Sequence, residues 1–277
     1  MFDHAPSADH SLLQDPAFAQ ALMLLGQSPR YLPNGQLVLS RRIMGLPLLM
    51  LPRAVPPSDL PAQLRAVKLH RRPLILSPDH PCAIPRALRL RAPQTRAVLD
   101  LSINIETRRA ALHGKWRNAL RRAEKSGLNI RRTPLPPDPD HPVLIEGDKQ
   151  ARARRYCNWP AALTAAFAAT APSQVQLFTA TQAHKPLAYM LFLRHGAQAS
   201  YHIGLTTDAG KACAAHNLLL WQATEWLANQ GCHSLDLGLI DAKTPGLTRF
   251  KIRAGAALQQ TGGTWLYWNP LARRSAA

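Results

Sequence analysis

The stretch Lys211–Gln230 carries Leu218, Leu219, Leu220, Trp221, Trp226 and Leu227 and is closed by Gly231. On a helical wheel these apolar residues fall nearly all round. A helix here has no broad face to give to water and has to be buried. The neighbouring segments are suited to bury it. Gln174–Thr179, Lys185–Arg194 and Ala199–Leu205 read as strands, the last two joined by a turn at His195-Gly196. Ser234–Gly238 and Trp265–Trp268 read as further strands, with Thr248–Arg253 as a short helix or turn between them. Strand, strand hairpin, buried helix, strand, short helix, strand: the order predicts a mixed α/β sheet.

The first half is less regular. Gln14–Leu25 reads as a short helix started by Asp15 and Pro16. Gln36–Leu39 and Leu46–Leu51 read as a hairpin whose halves are separated by Arg41-Arg42, and Leu74–Leu76 and Ala97–Leu101 as strands beyond a proline-rich loop. Glu106–Ser126 reads as one amphipathic helix ended by Gly127. Leu112, Trp116, Ala119, Leu120 and Ala123 share one face, and Arg117, Arg121, Arg122 and Lys125 the other. The loop Thr133–Pro142, with five prolines, then leads to a helical stretch over Asp148–Thr170 that is interrupted near Trp159-Pro160. These breaks divide the chain into 1–105, a basic helix and loop over 106–142, and 143–277.

Length and composition limit the function classes. At 277 residues, 46% hydrophobic and 18% charged, the chain can build a sizeable core and is not disordered. Cys82, Cys157, Cys213 and Cys232 are too few and too scattered for a disulfide scaffold, and no CxxC pair suggests structural zinc. The eleven histidines form no paired ligand pattern. No run reaches the ~20 apolar residues of a membrane span, and the start of the chain lacks a signal-peptide design. A cytoplasmic protein is expected. There is no GxSxG elbow and no GxxxxGK[ST] loop. Cys232-His233, adjacent in sequence, is no thiol–imidazole pair. The net charge is +18, with 21 basic and 8 acidic residues before position 136 and 13 and 8 after it. Only 8 of the 34 bases are lysine. Arginine suits phosphate and carboxylate partners, but it also accompanies a high-GC genome.

Three passages resemble the GNAT acyltransferase superfamily, in the branch of Fem-type aminoacyltransferases and their acetyltransferase-like relatives. They are the basic helix Gly114–Gly127, the helix start Gly210-Lys-Ala-Cys-Ala-Ala-His-Asn217, and Leu235–Asp241 followed by Pro245–Ala256, where Phe250-Lys251 and Gly255 keep the Fem-type spacing. The resemblance covers about residues 105–268 and implies tandem GNAT-like lobes, the first a degenerate copy. It implies an acyltransferase with no permanently bound cofactor. The co-substrate would be an acyl-CoA thioester or an aminoacyl-tRNA, and the acceptor an amine. In the second version the acceptor is a peptidoglycan precursor or another amine, although the long coiled-coil arm of larger Fem proteins is missing. A non-catalytic module binding RNA or phosphate on the same fold is the alternative of another class.

Site residues follow from the same passages. A helix N-terminus offers free N–H groups and a positive dipole end to a pyrophosphate. Thr207, Gly210, Lys211, Ala212 and Asn217 are the donor-binding candidates, with Thr207 where the family pattern Arg/Gln-x-x-Gly-x-Gly/Ala has Arg or Gln. Acyl transfer to an amine needs a base and help for the oxyanion. Asp241 is the candidate base, ahead of Asp236, with His202 as another. Tyr201 would protonate the leaving group. Lys251, with Arg249 or Arg253, would bind phosphate or stabilise developing negative charge. Arg117 and Arg121 would line a channel for an anionic substrate or form a solvated face.

Overall fold

The computed structural model describes residues 10–43 and 45–268. In chain order it contains α1 (Pro16–Leu24), β1 (Arg30–Tyr31), β2 (Leu37–Ile43), β3 (Leu46–Pro52), α2 (Leu60–Ala66), β4 (Leu74–Ser77), β5 (Ala87–Arg91) and β6 (Thr95–Asp100). There follow α3 (Ile105–Ala111), α4 (Gly114–Glu124), β7 (Asn129–Pro134), α5 (Pro142–Arg154), α6 (Ala161–Thr170), β8 (Val175–Gln182), β9 (Lys185–His195) and β10 (Gln198–Thr206). The chain closes with α7 (Asp208–Ala212), α8 (Ala215–Asn229), β11 (Ser234–Leu239), α9 (Pro245–Arg253), β12 (Ala257–Gln260) and β13 (Thr264–Tyr267). The described residues form two compact units, one of 11–96 and 259–268, the other of 97–258 with His10.

The smaller unit holds a six-stranded mixed sheet in the order β1-β2-β3-β4-β13-β5. β2 and β3 form the expected hairpin, but its strands run further than their apolar cores. Arg41 and Arg42 pair with Leu48 and Pro47, and Gly45, at φ +80, supplies a turn conformation that a side chain disfavours. β3 and β4 are parallel, and β13 lies antiparallel between β4 and β5. Val38, Leu49, Leu51, Leu74 and Leu76 make the core with Leu60 and Leu64 of α2 and Tyr267 of β13. Asp79 accepts from Arg53 and Arg96 at 2.9 and 2.8 Å. β5, Ala-Leu-Arg-Leu-Arg, carries no buried face to mark it in the sequence, because it is an exposed edge strand.

The larger unit holds a seven-stranded mixed sheet, β12-β6-β11-β10-β9-β8-β7. β7 to β10 are antiparallel, and β11 is parallel to β10. The buried helix expected over Lys211–Gln230 is here, but in two pieces. α7 is pinned to β9 through Thr207 and Gly210, whereas α8 follows the sheet, and the chain changes direction at Ala214, which adopts φ 57. The basic helix expected over Glu106–Ser126 is also two helices. Leu112 is extended, the His113 ring nitrogen accepts from the Lys115 amide, and α4 starts at Gly114. Arg117 crosses the break and donates to the carbonyls of Ala110 and Leu112, both at 2.9 Å. Leu120 and Ala123 of α4, Leu219, Ala223 and Leu227 of α8, and Phe192 and Leu235 of the sheet share one core.

The smaller sheet contains one strand from the far end of the chain, β13, and in the larger sheet β6 lies between β11 and β12, both well over 100 residues later. The chain passes between the two units at 96/97 and 258/259, and positions 105 and 142 both lie within the larger one. Phe192 is 0% exposed at the centre of the larger core. Phe192→Ala is expected to lower stability by about 3–5 kcal/mol, read from the midpoint of chemical denaturation.

Candidate active site

β10 and β11 run in parallel register only from Gln198/Ser234 to Ser200/Asp236, although both strands continue beyond. At that point β10 carries a bulge, because Tyr201 pairs with Phe192 and Ile203 with the very next residue, Leu191. Near this parting, side chains donate to backbone carbonyls of both strands. Gln150 Nε2 donates to Gly204 O at 3.0 Å, His216 Nε2 to Leu205 O at 2.8 Å, and Lys251 Nζ to Leu239 O at 2.8 Å.

Two of the expected catalytic residues meet here. Tyr201 and Lys251 border one narrow cavity with Met190, Leu220, Leu237 and Phe250. Lys251 is 5% exposed. Burial pushes its pKa down, while the nearby Asp236 charge acts the other way. One of its three hydrogens is bound to Leu239 O and two remain. Burial pushes the Tyr201 phenol well above its ordinary 10, so it stays protonated at neutral pH. Its hydroxyl lies where a side chain on Gly204 would begin. A glycine inside a strand marks such a close approach, and the Tyr-His-Ile-Gly sequence carried that signal unread. Gly238, at φ +83, likewise brings the β11 backbone to 3.6 Å (measured from its would-be Cβ) from Lys251 Nζ.

The other two candidates lie apart from this cavity. His202 turns to the face covered by α6, where its Nε2 is 3.0 Å from Thr164 Oγ1 and its ring meets Trp159 edge-on at 5.2 Å. Asp241 is exposed two residues past β11. Its Oδ1 accepts from the Lys243 amide at 2.8 Å, and its carbonyl accepts from Thr248 Oγ1 at 3.0 Å, so it shapes the turn that starts α9. Arg249 is exposed on α9, and the carbonyl of the half-buried Arg253 accepts from the His113 amide.

The donor-loop residues form a closed structure. Thr207 Oγ1 accepts from the Gly210 amide and donates to Leu187 O, both at 3.1 Å, and Lys211 pairs with Asp208 at 2.8 Å. A Cβ on Gly210 would sit 2.5 Å from Leu187 O. Ala212 ends α7, and Asn217 lies in the first turn of α8. Of the basic helix, Arg121 is exposed, whereas Arg117 is held by the α3–α4 break. Among the described residues no group of three or more His, Cys, Asp or Glu is placed to hold a metal ion.

Residues 113–251 match the acetyltransferase (GNAT) domain family, and the chain belongs to that family. The matched residues all lie within the larger unit. FemX is similar in structure over 97% of this chain and 95% of its own, with a TM-score of 0.73 at 12% identity. L-PGS from Bacillus licheniformis follows the same fold over 97% and 96% of the two chains, at a TM-score of 0.56 and 12% identity. A conserved protein of Bacteroides thetaiotaomicron does so over 94% and 92%, at 0.62 and 13%. At these identities the likeness is one of fold. No curated protein matches the chain by sequence.

Burial holds the His202 pKa at about 4, against an ordinary 6.5. The unfolded chain therefore takes up this proton first as pH falls. Stability contributed by the neutral ring is complete above pH ~6.5 and is lost towards pH ~4, by up to about 3 kcal/mol. His202→Gln is expected to flatten the stability–pH curve in that window, as measured by denaturation at stepped pH. A curve of unchanged slope would place the acid sensitivity elsewhere.

Proposed function

We propose that this chain is an N-acyltransferase that moves an acyl group from a thioester of the acyl-CoA type to an amine at the parting of β10 and β11. The observation that carries the reading is the pairing of a buried ammonium, Lys251, with a protonated phenol, Tyr201, on one cavity where parallel strands separate. The amine attacks the thioester carbonyl, the C–N bond forms, and the C–S bond then breaks. Lys251, with two free N–H donors, faces the negative charge that develops on the carbonyl oxygen. The thiolate departs without needing a proton, since thiols ionise near pH 8.5. The surplus proton of the amine leaves through water, with Asp241, exposed two residues past β11 and outside the cavity lining, as the candidate to take it. The start of α8, with Asn217 in its first turn and Lys211 before it, is the place for the donor's phosphates. Its cytoplasmic location belongs to the same proposal.

One observation favours the second reading, aminoacyl transfer from charged tRNA. An alkoxide leaving group does need a proton, and the protonated Tyr201 hydroxyl borders the cavity from which one could be given. The Gly210 amide, capped by Thr207, is also less available to a pyrophosphate than the family pattern implies.

The two donors are separated by calorimetry with acetyl-CoA and with uncharged tRNA. Saturable coenzyme A binding that is lost on changing Gly210-Lys211 supports the thioester, and binding to RNA alone overturns it. With the working donor, Lys251→Met is expected to lower kcat by about 10²-fold or more. Tyr201→Phe should lower kcat comparably for an ester and little for a thioester. If Lys251→Met leaves transfer intact in a folded protein, the site is misplaced. On tRNA, Arg121→Ala should weaken binding and reduce its salt dependence. Arg121 is the cleaner probe, because removing Arg117 also unties the α3–α4 break.

A further inference from the structure

A second cavity lies against α8, outside the site just described. Its walls are Leu99, Leu101 and Ile103 at the end of β6, Leu112 at the α3–α4 break, and Leu220 and Trp221 of α8. Arg108 of α3 and Trp116 of α4 also border it. Trp116 is 4% exposed, and its indole N–H has no hydrogen-bond partner within the protein. Nε and Nη1 of Arg108 are likewise shielded from solvent and without a partner. A buried donor left unpaired costs about 1–3 kcal/mol, and more when it is charged. Three of them on the border of one cavity call for a common partner.

The polar groups of the same wall do not supply it. Thr224 donates to Trp221 O at 2.7 Å. Asp100 Oδ1 accepts from the Ser102 hydroxyl and amide at 2.6 and 2.9 Å, and these bonds hold its carboxyl below the usual range. Glu225 and Asp100 are near enough for Arg108 to feel their charge, but neither forms an ion pair with it. Burial pushes the Glu225 carboxyl up, which weakens it as a counter-ion. The buried unpaired positions on this cavity are donors, and apart from them, Asp100 and Thr224 most of its walls are apolar. The complementary group accepts only, can take several N–H bonds at once, and carries the charge that a guanidinium favours. That group is a carboxylate.

We propose that this cavity binds a small apolar carboxylate, its hydrocarbon part against the leucine and tryptophan walls and its oxygens on Arg108 and on the Trp116 indole N–H. Leu220 borders both this cavity and the one holding Tyr201 and Lys251. Trp116 and Phe250, one from each lining, touch with ring centres 6.0 Å apart. The ligand would sit beside the transfer site and share a wall with it. The proposal stands on the cavity alone and does not depend on the reaction proposed above.

The test uses the full chain without any acyl donor, with hexanoate as the probe. The tryptophan indole N–H signals are followed by two-dimensional nitrogen–proton NMR, and Trp116→Phe identifies the Trp116 signal. Hexanoate is expected to shift that signal saturably, hexan-1-amine is not, and Arg108→Met should weaken hexanoate binding at least tenfold. No saturable shift, an equal response to hexan-1-ol, or unchanged affinity in Arg108→Met overturns the proposal. Should Arg108→Met fail to fold, Trp116→Phe replaces it, read as the rise in melting temperature that hexanoate produces. A rise reduced by half or more supports the site, and an undiminished rise overturns it.

Discussion

Everything distinctive in the larger unit depends on two parallel strands that stop pairing. Parallel register is normally carried along the full length of adjoining strands, because each unpaired N–H or C=O is costly away from water. Here it ends at Ser200/Asp236, and the carbonyls beyond are taken over by Gln150 from α5, His216 from α8 and Lys251 from α9. Three helices are thereby tied to the strand ends. The same substitution brings Lys251 into the interior, where burial lowers its pKa, and sets it beside Tyr201. Backbone repair and a reactive-looking pair of side chains are one arrangement.

Part of the arginine excess makes defined contacts with carboxylates, carbonyls and tryptophan rings. Arg117 holds the α3–α4 break together, and Arg109 both pairs with Glu124 at 2.9 Å and lies 5.5 Å above the Trp221 ring. Arg132 and Arg194 lie over the Trp226 ring at 4.6 and 5.7 Å. Such contacts use the flat guanidinium as packing surface as well as charge, which lysine does less well. In the smaller unit Arg53 and Arg96 converge on Asp79. Most of the described arginines are nevertheless exposed, Arg121, Arg132 and Arg249 among them.

Long, strongly patterned segments were legible in the sequence. The strands over 175–205 and the burial of the 211–230 region follow from alternation and from an apolar wheel, and Gly231 marks the end of α8. The two helix breaks were not legible. Ala214 takes a left-handed conformation that nothing about alanine favours, because α7 and α8 are held by different neighbours. At Leu112-His113 the helical pattern continues across a break stabilised by His113 and by Arg117 from the following helix. The site was half legible: Lys251 and Tyr201 could be named from their passages, whereas their shared cavity depends on a bulge at His202 and on what Gly204 lacks. The unpaired donors of Arg108 and Trp116 had no sequence signal at all, since Trp116 reads simply as part of an apolar face.

The sequence by itself determined the kind of elements, the central buried helix and the GNAT family, because these rest on local periodicity and on motif spacing. Tertiary structure decided which strand joins which sheet. It set β6 between β11 and β12, and β13 between β4 and β5, neighbours that lie more than 100 residues away in the chain. It also decided which polar side chains complete the backbone and which face a cavity. Those outcomes depend on pairings between residues far apart in the chain. No local pattern records where two strands cease to be neighbours.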